Sequence, residues 1–546
     1  PQERSKRENE PNAREKGVAE RYDFRYNSSM PTPIVLAILD GWGYTPKQVG
    51  NPIQKAEKPE INFIEHNYPL LLLKASGLAV GLRWGEVGNS ETGHLNLGAG
   101  RVVPQYQSRI EKSINDESFF ANPALVDAFA HAREYGSRIH FIGLLTSGTV
   151  HAEFAHIPAL LDLAVQQQQT QIFLHLFLDG KDSGLKEGAD MVAKVQAEIT
   201  ARGVGSIATC VGRTLAMDRD HHWDLTKKAH DLIAHGDGQT VEDIVGTIKG
   251  FYGQDIFDLN IPALRPLENY DGVHDNDALI FFNFREDSIR QLYQSFARPT
   301  FAEFPRTEFQ NLYISSFTEY DPSIERPAAF LPPSIKNSLA ETISAQGLRQ
   351  CHIAETIKYA HVTYFFNGLA HDPYPGEDDE MITSISNIEE VPTMKAMEIA
   401  QRVTEKLDAG EHELIIVNFA NADMLAHTGN YDATLIGVET VSKAVGMVRE
   451  AVLAHNGILL ITSDHGNAES LIYHGTGEPE SRHDDDPVPF YVVGSAYERP
   501  RTDEEIKHEI GSVSGILGDV APTILQLMGV PQPEEMGGKS LLELLT

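Results

Sequence analysis

Three acidic residues stand at the ends of apolar runs that lie far apart in the chain. PIVLAILD closes on Asp40, HELIIVNFANAD on Asp423, and NGILLITSDH on Asp464 with His465 beside it. In NADMLAHTGN, His427 follows Asp423 by four residues, so in a helix both side chains leave one face and can share a cation. Adjacent ligands at a turn, as Asp464 and His465 would be, can reach two different ions. His483, in SRHDDDPVPF ahead of another apolar run, adds a third imidazole. Three carboxylates and three imidazoles are enough for two divalent ions of the zinc or manganese type. Without cations such a cluster would suffer strong carboxylate repulsion. The alternative is that these acids are strand-end caps and turn formers.

The stretch GNSETGHLNLGAG, residues 88–100, looks like a phosphate loop but lacks the GK[ST] ending, and no GxGxxG follows the first apolar run. A nucleotide cradle is therefore a poor reading. Ser90 could cap a helix, with Glu91 in its first turn. Its place after the first acid-tipped run suits a nucleophile instead. A serine oxygen on a metal has a lowered pKa and can attack phosphorus, while a second metal and a helix N-terminus stabilise the phosphoryl oxygens.

These residues must be brought together by the elements that carry them. The acid-tipped runs are short and β-branched and read as buried parallel strands. Between them lie helical patterns, TMKAMEIAQRVTEKLDAG and ATLIGVETVSKAVGMVREAVLAHNG, the second ending in a glycine stop. Alternating strands and helices imply an α/β sheet whose ligands sit beyond the carboxyl ends of its strands, so the acids would meet on one rim. RIHFIGLLT, IFLHLFLD, GSIATCVG and DALIFFNF form a second set of strands and predict a second α/β domain. Because the acid-tipped strands flank it, this domain reads as an insertion over residues 105–332, the outer domain comprising 30–104 and 333–546. The connections fall near GRVVPQYQSR and DPSIERPAAFLPPS, where proline and polar residues cluster.

The totals agree with a multidomain enzyme. At roughly 150 residues per domain, 546 residues exceed one ordinary core. A net charge of -33, from 78 acidic and 45 basic side chains, argues against nucleic acid or an anionic membrane as partner. Only Cys210 and Cys351 are present, which excludes a disulfide scaffold and points to a reducing, cytoplasmic compartment. No apolar run approaches the ~20 residues that span a bilayer. Residues 1–29 are charged and polar without an apolar h-region; they read as a disordered extension rather than a secretory signal, with Met30 as an alternative start.

Eight segments, LDGWGY, GNSETGHLNLGAGR, GRTLAMDRDHHWD, FFNFRED, ETIKYAHVTYFFNG, NFANADMLAHTG, SDHGNAE and HDDDPVPF, resemble in order and spacing those of the cofactor-independent phosphoglycerate mutases, members of the alkaline phosphatase superfamily. The resemblance covers nearly everything from residue 33 onward. It implies an alkaline-phosphatase-like metal domain with an inserted phosphotransferase domain. It also implies that Asp423, His427 and His483 hold one metal and Asp40, Ser90, Asp464 and His465 the other, with Ser90 as nucleophile. Manganese is the metal it implies, with zinc, cobalt or magnesium as alternatives, and no bisphosphoglycerate is needed. The substrate would be phosphoglycerate, bound by His151, Lys181, Asp182, Arg213, Arg219, Arg285 and Lys358, in a chain expected to act as a monomer. Asp182 would be the general acid and base, and Lys358 would stabilise the phosphate.

The chain departs from the family pattern in the anion clamp. DGKD stands for DGRD, so Lys181 replaces an arginine and loses its bidentate fork. NFREDS stands for NFRxDR, so Ser288 replaces another; were the segment helical, Arg285 and Ser288 would share a face and Arg290 would lie about 140° away. TVHAE stands for GVHSH, with Glu153 in place of the second histidine. Rival readings are a metal-dependent phosphomonoester hydrolase, a sugar-phosphate mutase of the same superfamily, and a non-catalytic binding protein that keeps the fold.

Overall fold

The first apolar run forms β1 (Ile34–Leu39), buried along its whole length, and β2 (Leu70–Lys74) follows it. The chain then makes β3 (Ile139–Leu145), β4 (Ile172–Leu178), β5 (Ser206–Gly212), β6 (Gln239–Thr240), β7 (Leu264–Arg265), β8 (Ala278–Phe281), β9 (Tyr313–Thr318) and β10 (Ala328–Phe330). It closes with β11 (Gln350–Glu355), β12 (Glu377–Ile382), β13 (Leu414–Phe419), β14 (Ile458–Thr462), β15 (Val488–Val493) and β16 (Val513–Ile516). This computed structural model describes residues 32–473 and 477–545, so the expected extension over residues 1–29 lies outside the described residues. Two units emerge. One comprises the described residues up to Val103 together with those from Ile335 onward, and the other is Pro104–Ser334.

In the first unit the sheet order is β12-β11-β13-β1-β14-β15-β2-β16. β11, β13, β1 and β14 run parallel, and β15 is antiparallel to both β14 and β2. Register sets the site: Leu39 of β1 lies level with Phe419 of β13, and Ile38 with Thr462 of β14. Three neighbouring strands thus end flush, and the residues that follow them emerge on one rim.

The helices Ala396–Ala409 and Tyr431–Ala454 cover one face of this sheet. Val438, Val441, Val445, Val448 and Val452 recur at helical spacing and pack with Val35, Ala37 and Val417. Each fully buried valine contributes about 1.5–3 kcal/mol relative to exposure. The first of these helices ends on left-handed Gly410. The second does not stop on glycine: Asn456 takes the left-handed position (φ 53°), because asparagine tolerates it, and Gly457 follows after the turn.

The second unit has its own sheet, in the order β10-β9-β8-β3-β4-β5-β7-β6. β9, β8, β3, β4 and β5 are parallel, and β7 meets β5 antiparallel. Its core holds Phe141, Leu174, Leu176, Cys210, Ile280 and Phe282. Cys210 and Cys351 are buried and free. No helix among the described residues is long and apolar enough to cross a membrane.

Candidate active site

On the rim of the first unit, Asp40 follows β1 and Asp464 and His465 follow β14 by a short turn. Asp423 lies in the first turn of the helix Asn421–Ala426 just beyond β13, and His427 continues that helix in the αR conformation. The four-residue spacing therefore does place both side chains on one face: His427 Nε2 is 3.3 Å from Asp423 Oδ1. His483, ahead of β15, comes within 3.4 Å of the same oxygen and 3.0 Å of His427 Nε2. The ligand atoms of Asp423, His427 and His483 lie within 4.8 Å of one another, and so do those of Asp40, Asp464 and His465. The second trio is wholly buried; the first opens to solvent at His427.

The histidines are oriented for ligation. Nδ1 of His427 donates to Ser481 O at 2.9 Å, that of His483 to Gly88 O at 2.7 Å, and that of His465 to Gly466 O at 3.2 Å. Each ring thereby turns its Nε2 toward the carboxylates, the orientation in which a bound cation would displace any proton there. Acceptors converge there with few protons to share, the donor set of a divalent ion with nitrogen and oxygen ligands. The residues present therefore fit a metal centre. The charge demand is visible in the side chains as well. Burial works to lower Lys358, but Asp40, Asp423 and Asp464 outweigh it and hold the ammonium above its ordinary range. His465 is likewise desolvated, yet Asp464, Asp40 and Asp423 push it up to about 10.

Ser90 sits against the trio of Asp40, Asp464 and His465, and Lys358 links it to Asp423. The serine is the first residue of the helix Ser90–Ala99, but the cap is Asn89, whose Oδ1 accepts from Thr92 N at 2.9 Å. Relieved of capping, Ser90 Oγ lies 3.2 Å from Asp40 Oδ1, 2.9 Å from His465 Nε2 and 2.7 Å from Lys358 Nζ. Lys358 follows β11 in a short turn of helix, Thr356–Lys358, and also donates to Asp40 Oδ1 and Asp423 Oδ2, each at 2.7 Å.

Sequence reasoning passed over the residues that hold these ligands. Asn418 Nδ2 donates to Asp40 Oδ2 at 2.7 Å, Asn467 Nδ2 donates to Asp423 Oδ1 at 2.8 Å, and His94 Nδ1 lies 3.1 Å from Asp464 Oδ2. A signal existed for one of them: His94 follows Ser90 by four residues on a helix face.

The second unit gathers a different set beyond its own strand ends. His151 follows β3, Lys181 and Asp182 follow β4, Arg213 directly follows β5, and Arg285 follows β8. Arg213 Nη1 reaches Asp182 Oδ2 at 2.6 Å and Asp179 Oδ1 at 2.5 Å. His151 Nε2 stands 3.8 Å from Asp182 Oδ2, and its Nδ1 3.5 Å from Asp287 Oδ1. Asp287, which the sequence reading left out, also pairs with Arg219 at 2.9 Å and Arg285 at 3.3 Å. Burial raises the Asp287 carboxyl, but Arg285 and His151 bring it below its ordinary value. Lys181 is exposed and makes no ion pair among the described residues.

The segment after β8 is not helical. Residues 285 and 286 are irregular, 287–289 turn, and the helix begins at Arg290, so Arg285 and Ser288 do not share a helical face. Within the turn Asp287 Oδ1 accepts from Ser288 N at 2.7 Å and from Ser288 Oγ at 3.1 Å. Arg290 Nε instead donates to Tyr320 O at 2.8 Å. Glu153 accepts from Gln107 Nε2 at 3.3 Å.

Comparison with known proteins places the chain. The metalloenzyme superfamily matches residues 32–532. A 2,3-bisphosphoglycerate-independent phosphoglycerate mutase of Synechococcus elongatus is 42% identical over 518 residues, covering 94% of this chain and 96% of its own. That of Moorella thermoacetica is 41% identical over 519 residues, covering 93% and 98%. A crystal structure of Leishmania mexicana phosphoglycerate mutase at low cobalt concentration is 26% identical, with a TM-score of 0.67, covering 94% of this chain and 98% of that one.

Proposed function

Because the chain belongs to the metalloenzyme superfamily and, within it, to the 2,3-bisphosphoglycerate-independent phosphoglycerate mutases, isomerases that interconvert 3-phosphoglycerate and 2-phosphoglycerate, we propose that it moves the phosphoryl group by way of Ser90. The observation that supports this reading is the place of Ser90 Oγ, 2.7 Å from the Lys358 ammonium at the centre of the acid and histidine cluster. A cation at that distance favours the alkoxide over the alcohol.

Two divalent ions, Mn2+ first and Zn2+, Co2+ or Mg2+ as substitutes, would be held by Asp423, His427 and His483 and by Asp40, Ser90, Asp464 and His465; when bound they neutralise charge on the phosphoryl oxygens. Ser90 Oγ forms a bond to phosphorus as the bond to the 3-oxygen breaks, and Asp182 gives that oxygen its proton. In the second half the 2-hydroxyl passes its proton to Asp182 and attacks the phosphoserine, which restores Ser90. His151, Lys181, Arg213, Arg219 and Arg285 hold the glycerate carboxylate and hydroxyls meanwhile, the guanidinium groups by paired hydrogen bonds. The phosphoryl group stays on the protein between the halves, so no bisphosphoglycerate is required.

The test is an assay with 3-phosphoglycerate, Mn2+ and no bisphosphoglycerate, following 2-phosphoglycerate and free phosphate together. The wild type is expected to form 2-phosphoglycerate with little phosphate, and Ser90→Ala to lose about 10^3-fold or more of the rate. Undiminished product from Ser90→Ala would overturn the phosphoserine route. Phosphate as the main product would assign a hydrolase instead.

A further inference from the structure

The edge strand β12, EDDEMI, carries four consecutive acids, and its two faces treat them differently. Side chains alternate along a strand, so Asp378 and Glu380 share one face and Glu377 and Asp379 the other. On the first face every acid meets a base. Asp378 pairs with Arg349 at 2.8 Å and His412 at 2.7 Å, and Glu380 pairs with Arg402 at 3.2 Å and with Lys406. On the second face neither acid has an arginine or lysine partner among the described residues.

What faces Glu377 and Asp379 is His352 of β11, which the parallel register sets directly opposite Asp379. His352 is wholly buried, and its Nδ1 makes no hydrogen bond. That nitrogen is aimed between the carboxylates, 3.5 Å from Glu377 Oε1 and 3.9 Å from Asp379 Oδ1. His352 thus turns a partnerless ring nitrogen to the two acids. Its Nε2 points to Gln350 Oε1 at 3.4 Å, consistent with the proton on that side. Glu377 is itself positioned, accepting from Asn367 Nδ2 at 2.5 Å and Tyr374 N at 3.1 Å. Asp379 is partly exposed, while its Oδ1, the oxygen that faces His352, is buried and makes no hydrogen bond.

We propose that His352, Glu377 and Asp379 form a further divalent-cation site, within the sheet edge rather than on its carboxyl rim, that takes Zn2+ or an ion of similar ligand preference. One imidazole and two carboxylates are a donor set that suits such ions. Ligands 2.0–2.1 Å from a tetrahedral ion stand about 3.4 Å apart, close to the spacing from Nδ1 to Glu377. A bound ion supplies the positive charge that the opposite face of β12 receives from side chains.

The inference is independent of the catalytic assignment and is tested by counting ions. The whole chain and the variants His352→Gln and Asp379→Asn, which keep side-chain size, are dialysed to equilibrium against Zn2+, and bound zinc per chain is measured by elemental mass spectrometry. Each variant is expected to hold one ion per chain fewer than the wild type while keeping its mutase rate in saturating Mn2+. The thermal midpoint of the wild type should rise more with added zinc than that of either variant. Equal zinc counts in wild type and variants overturn the site. Should one variant fail to fold, the other decides.

Discussion

Asp287 touches three of the groups assigned to glycerate: Arg219, Arg285 and His151. Replacing it by asparagine removes the charge that aligns both guanidinium groups while leaving them in place. Losing a charge-assisted hydrogen bond costs about 1.5–3 kcal/mol. Asp287→Asn is therefore expected to lower kcat/KM by about 10- to 100-fold, chiefly through KM, in steady-state assays with 3-phosphoglycerate. The residue was hidden in the sequence because NFRED offers two adjacent acids beside one arginine, and only the folded segment shows which arginines Asp287 serves. Asp40, Asp423 and Asp464 were legible for the opposite reason: an acid that closes an apolar run must lie at a strand end. Asn418, Asn467 and Asn89 gave no such sign, since an amide in a strand or turn has many uses.

At the scale of elements, the helix Ser90–Ala99 is fitted to its neighbours by glycine. A Cβ on Gly93 would stand 2.4 Å from the Asp464 carbonyl oxygen, and one on Gly98 would stand 1.9 Å from that of Phe366. Backbone atoms cannot yield as a side chain can, so the helix would be driven off the strand end that carries Asp464. Gly93→Ala is expected to cost about 3 kcal/mol in urea unfolding and to reduce the mutase rate as well. Gly250, exposed in the helix Ile244–Tyr252 with nothing near its missing Cβ, is the control: Gly250→Ala should stabilise by about 0.5–1 kcal/mol. The parallel strands were readable from their β-branched runs, and the flush rim followed from them. The turn at 287–289 was not, because a helix and a turn fit the same few polar residues equally well.

For the whole molecule, a buried neutral histidine adds to the response to acid. His230, on the helix Trp223–His235, is desolvated and lies near His235, Arg306 and Lys227, which lower it to about 3. The unfolded chain takes up this proton near pH 6.5, the folded chain only near 3, so between those values the unfolded state binds more protons. Stability should fall through that window as pH drops, by about 1.4 kcal/mol per pH unit for this group alone, and level off below it. Urea midpoints measured from pH 7 to 4 are expected to decline less steeply in His230→Gln than in the wild type, and parallel curves would exclude the histidine as a cause.

The order of segments along the chain also dictates when each part can fold. Asp40 is held by Asn418, 378 residues later, and Gly41 by Asp464, 423 residues later. At synthesis rates of roughly 5–20 residues per second, β1 waits about 20–75 s for its first partner strand. The unit Pro104–Ser334 leaves the ribosome whole within that wait. Its early folding would shorten the loop of loose chain that β1 must close, so the inserted unit does a service to the metal-binding one before either meets substrate.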